Sequence, residues 1–74
     1  MNVQLMVHID EHLDPGAVNR ARSRLHTEKG IVETAPCQDK SHLMMVRYDP
    51  GATSAGQIVA TLRGLGLHAQ AVGL

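Results

Sequence analysis

The sequence predicts an α+β domain with the element order β-α-β-β-α-β, and three observations carry that prediction. Apolar and polar residues alternate along the first strand-like run, two stretches with helical spacing open on capping residues, and further β-prone runs follow each helix. At 74 residues the chain holds one core and reads as a single domain over residues 1–74. A domain of this size buries only about 60% of the surface its unfolded chain exposes, so its packing has little to spare.

The elements follow in order. Val3, Leu5, Val7 and Ile9 alternate with Gln4, Met6, His8 and Asp10, the period of a strand with one buried face; this is β1. Glu11-His12-Leu13 forms a loop. Asp14 then stands at an N-cap and Pro15 at the first helical position, opening α1, which is expected to run to about Glu28. Its inward stripe is Val18, Ala21 and Leu25, closed by Lys29 and a left-handed Gly30. Ile31 to Cys37 predicts β2, marked as an edge strand by Pro36. Gln38 to Ser41 reads as a hairpin turn, and His42 to Tyr48 as β3, ended by Asp49-Pro50-Gly51. Thr53 or Ser54 caps α2, whose inward stripe is Ile58, Leu62 and Leu65 and which ends between Gly64 and Gly66. Leu67 to Val72 is β4. This order is the ferredoxin-like split unit: a four-stranded sheet, expected to contain a central parallel pair, with both helices on one face. Met44, Val46 and Tyr48 then face the helices. Met6 and His8 lie beside Leu43 and Met45 on the open face.

Composition excludes several function classes. Lys plus Arg equals Asp plus Glu at seven each, so no net field draws the chain to nucleic acid or an anionic membrane. One tyrosine and no phenylalanine or tryptophan leave nothing for base stacking. The longest apolar runs fall well short of the ~18 residues of a membrane span, no signal-peptide pattern opens the chain, and the expected location is cytoplasmic. The single cysteine, Cys37, has no intrachain disulfide partner and no nucleophile-base-orienter set around it. Binding rather than catalysis is expected.

Tyr48-Asp49-Pro50, followed by Thr53-Ser54, Ile58, Leu62, Gly66 and Leu67, together with Leu25 and Gly30-Ile31 at the end of α1, resembles the heavy-metal-associated domain. That family comprises copper chaperones, mercury-binding proteins and N-terminal modules of metal-pumping P-type ATPases. The resemblance covers nearly all of the chain and implies a ferredoxin-like fold, a transition-metal cargo and a transporting ATPase as partner. The family's Met-x-Cys-x-x-Cys loop falls on residues 12–17, where His12 takes the methionine position, Asp14 the first cysteine and Ala17 the second. Two thiolates at that spacing hold a soft ion such as Cu(I) in near-linear geometry; a carboxylate and a methyl group do not.

The candidate ligands are therefore different ones. His8, Asp10, His12 and Asp14 alternate around the end of β1, and imidazole with carboxylate suits Zn(II), Ni(II), Co(II) or Cu(II). A plain reading stands beside this: ordinary surface histidines, with Asp14 capping α1. Met6, His8 and Met45 offer thioether and imidazole for copper, or a deformable contact patch. Arg20, Arg22, Arg24, His26 and Lys29 make α1 basic, with Arg20 and Arg24 on one face as a docking surface for an acidic partner. Two functions follow. One is a metal carrier or sensor for Cu, Zn or Ni with His8, His12 and Asp14 as ligands. The other is a metal-free interaction module that uses Arg20, Arg24, Met6 and Met45 to bind a protein such as a transporting ATPase or a second copy of itself.

Overall fold

The computed structural model describes residues 1–36 and 42–72. Its elements are β1 (Val3–Ile9), α1 (Pro15–His26), β2 (Ile31–Pro36), β3 (Leu43–Tyr48), α2 (Ala55–Gly64) and β4 (Ala69–Ala71). Among the described residues the strands form one sheet in the order β2-β3-β1-β4, with the helices layered on one face. Every neighbouring pair is antiparallel, which corrects the expected central parallel pair. The helical crossover from β1 does return the chain to a parallel direction in β2, but β3 lies between the two strands.

Strand alternation sets which side chains reach the helices. Leu5, Val7 and Ile9 of β1 are buried, as are Met44, Val46 and Tyr48 of β3, against Ala21 and Leu25 of α1 and Ile58, Val59 and Leu62 of α2. Antiparallel register pairs Met6 with Met45 and His8 with Leu43, so these four lie on the open face, half-buried. β2 is an edge strand and Pro36 is its last residue, a place where proline is tolerated. Its inward Thr34 is polar and buried. The hydroxyl lies 3.1 Å from Arg22 Nε and 3.0 Å from His26 Nε2, an arrangement that satisfies it while fastening β2 to α1.

Three elements have bounds that differ from expectation, and one inward position of α2 differs as well. α1 stops at His26 because Thr27 turns its N–H and its hydroxyl, at 2.6 Å, onto the Arg24 carbonyl. Glu28 is thereby freed to accept from the Thr61 hydroxyl on α2. Leu65 sits at the C-cap of α2 and is 44% exposed, so the third inward position assigned to it is not filled from there; Val59 and Leu67 pack on the core instead. β3 starts at Leu43 and β4 contracts to three residues. Cys37 and the expected turn over residues 38–41 lie outside the described residues.

Gly30 is required where it stands. Its φ of +94° is left-handed, and a Cβ there would lie 2.8 Å from the Ala52 side chain. That close approach lets Asp49 donate its N–H to the Gly30 carbonyl at 2.8 Å, while the Asp49 carboxylate and carbonyl organise the turn that leads into α2.

Candidate metal centre

The end of β1 next to the α1 loop gathers four of the five histidines: His8, His12, His42 and His68. His8 is the last open-face residue of the strand. Across the ladder, Ile9 donates its N–H to the His42 carbonyl at 2.7 Å, and His42 Nδ1 lies 2.9 Å from the Ile9 carbonyl. A carbonyl only accepts, so Nδ1 carries the proton and a neutral His42 presents its lone pair on Nε2. The His42 ring stacks on His8, with centroids 5.8 Å apart and planes 26° from parallel, and meets His12 edge-on at 6.0 Å and 64°. His42 is thus in contact with both sequence-predicted imidazoles.

His8 Nδ1 stands 3.2 Å from the Asp10 carboxylate, within ion-pair reach, yet the atom is buried and no hydrogen bond satisfies it among the described residues. The distance is short but the direction is poor, and because angle governs hydrogen-bond strength the contact counts as weakly electrostatic. Among the described residues no three His, Cys, Asp or Glu side chains already converge in ligating geometry. His42 neighbours each of the other two rings, and their nitrogens do not meet at one point.

Asp14 performs a separate task. Its backbone is extended, its Oδ1 accepts the Ala17 N–H at 2.7 Å, and Pro15 follows as the first helical residue. The first turn of α1 holds no other acid, so this carboxylate alone faces the positive end of the helix dipole. Glu11, between the two regions, accepts the His68 N–H at 2.8 Å through Oε1 and contacts the His68 ring through Oε2. That bonding holds the half-buried Glu11 at about 2 and raises His68 above its ordinary value, pinning the approach to β4 against the loop after β1.

The predicted contact residues separate into two surfaces. Met6 and Met45 occupy one row across the sheet, flanked by Ala35 on β2 and, through its N–H bond to the Met6 carbonyl, by Val72. Arg20 and Arg24 are exposed on α1 and border a shallow hollow with Leu65 at its apolar side; Arg22 is turned away to Thr34. His42 and His68 were not singled out by sequence. The signal for His42 was present, since pairing His8 with Leu43 places residue 42 beside Ile9.

No protein-family model and no curated protein matches the sequence. Solved structures do match in shape. An oxidized MerP from Ralstonia metallidurans CH34 superposes with a TM-score of 0.86 at 8% identity, over 99% of this chain and 100% of that one. A copper binding domain from HMA7, a P-type ATPase, gives 0.86 at 15% identity, over 99% and 96%. The N-terminal domain of a potential copper-translocating P-type ATPase from Bacillus subtilis, in the Cu(I)-loaded state, gives 0.84 at 18% identity, over 95% and 86%. At such identities the likeness establishes the fold: the chain shares, nearly end to end, the ferredoxin-like architecture of these domains.

Proposed function

We propose that this protein is a carrier or sensor of a transition-metal ion, with imidazole rather than thiolate as its principal donor. The observation that carries this reading is the contiguous run of His8, His42 and His12 at the end of β1. His8 and His12 supply nitrogen donors, and Asp14 is retained to cap α1. Such a donor set favours Zn(II), Ni(II), Co(II) or Cu(II) and disfavours Cu(I). Fold likeness to a copper binding domain of a P-type ATPase supports a metal cargo and an ATPase as partner. Arg20, Arg24 and the adjacent Leu65 form the surface offered to an acidic partner, and the cytoplasm is the compartment in which such an exchange takes place. Among the described residues no helix is long and apolar enough to cross a membrane.

Native mass spectrometry during titration with Zn(II), Ni(II), Cu(II) and Cu(I) tests the reading. One divalent ion per chain is expected, with Cu(I) lost to a strong chelator. Absence of any divalent adduct, or copper(I) retained against the chelator, refutes it. Asp14→Cys combined with Ala17→Cys, which places two thiolates in the loop, should reverse the preference toward Cu(I).

A further inference from the structure

We infer that His42, at the entry to β3, is the central ligand of a three-imidazole site completed by His8 and His12. The inference rests on the carrier reading above and goes beyond it by naming the residue that joins the other two. With metal–nitrogen bonds of about 2.0–2.1 Å, two imidazoles on one ion hold their ring centroids about 5–6 Å apart. The His8–His42 and His42–His12 separations, 5.8 and 6.0 Å, fall at that spacing before any ion is added. Among the described residues no three such side chains stand in ligating geometry without an ion, so binding requires the rings to rotate.

The three positions differ in stiffness. His42 is held by Nδ1–H to the Ile9 carbonyl on a rung that also carries the Ile9 N–H to His42 carbonyl bond, so its Nε2 lone pair has a set direction. A histidine oriented through its second nitrogen in this way is the usual support of a metal ligand. His8 stands on the adjoining strand, and its buried Nδ1 lacks a hydrogen bond. A small rotation of that ring aligns Nδ1–H with Asp10, 3.2 Å away, and makes Asp10 a positioning residue for His8. His12 is exposed on the loop and closes last. Three nitrogen donors leave a fourth position of a tetrahedral ion open to water or to an incoming ligand, the arrangement an exchanging site needs. Zn(II) is the ion that fits this donor set at four-coordination, and binding through Nε2 leaves the His42 Nδ1 proton on the Ile9 carbonyl.

The test uses the full chain with Zn(II) alone, following imidazole nitrogens by long-range NMR correlation and affinity by calorimetry. Ring nitrogens of His8, His12 and His42 are expected to shift together at one equivalent, while those of His26, held at Thr34, stay in place. His42→Ala should lower affinity on the order of 100-fold, whereas His26→Ala should leave it unchanged. Asp10→Asn should cost about 10-fold and alter the His8 ring shift more than that of His42. Wild-type protein that binds Zn(II) with no movement of the His42 ring, or a folded His42→Ala of undiminished affinity, overturns this inference and leaves the carrier reading standing. Wild-type protein that binds none of the divalent ions overturns both. Should His42→Ala fail to fold, the wild-type ring shifts decide.

Discussion

Replacing Asp14 separates the two roles its position allows. The carboxylate bonds the Ala17 N–H at 2.7 Å, and no other acid lies in the first turn of α1. Alanine removes both the acceptor and the charge, which at a solvent-facing N-cap costs about 1 kcal/mol. In a domain of this length that loss lowers Tm by about 4–8 °C. Asparagine keeps an acceptor oxygen in the same place and forfeits only the charge at the helix N-terminus, about 0.3 kcal/mol at physiological salt. Urea denaturation followed by circular dichroism resolves the difference between the variants. Zn(II) calorimetry on both should give the wild-type affinity, since the imidazoles are untouched. If asparagine is as damaging as alanine, or if both variants keep their stability and lose the ion, the carboxylate is a ligand and the cap argument fails.

Two further outcomes follow from the backbone and the charges. Gly66→Ala meets no atom within 4 Å and should cost only the left-handed strain, about 1 kcal/mol; Gly30→Ala also drives a Cβ to 2.8 Å from Ala52 and should cost about 1–3 kcal/mol more. Equal losses in thermal unfolding would show that the Gly30 contact yields without strain. The Glu11–His68 tie is strongest between pH 4.5 and 6.5. The lowered acid contributes fully above 4.5 and loses its contribution as pH falls toward about 2, and the raised His68 contributes fully below 6.5 and loses its contribution as pH rises through its folded value. Because His68 is exposed and Glu11 only half-buried, the effect is best read as an NMR titration: Glu11→Gln should return His68 to its ordinary value, and an unchanged His68 would show that the pair does not hold it.

Much of the architecture was legible because its causes are local. Period-two alternation in residues 3–9, the Asp14-Pro15 start of α1, Ser54 ahead of α2 and the left-handed Gly30 each act within a few residues of chain, and each appears in the structure. Leu65 misled because helical spacing says nothing about where a helix stops. The chain leaves α2 at Gly64, and Leu65 then turns out beside Arg20 and Arg24. The candidate site was legible in part. His8 and His12 stood out by their spacing, while His42, thirty-four residues from His8, is joined to them only through the β1–β3 ladder.

The sequence by itself determined the element order, the face of β1 and β3 that meets the helices, and the capping aspartate that opens α1. Tertiary structure decided the all-antiparallel sheet, the use of Glu11 to hold His68, and the placement of His42 between His8 and His12. The physical reason is range. Caps and alternation are settled by bonds and burial between near neighbours, whereas a cluster of side chains from separate strands exists only once register is fixed, and register follows from the packing of the whole buried face.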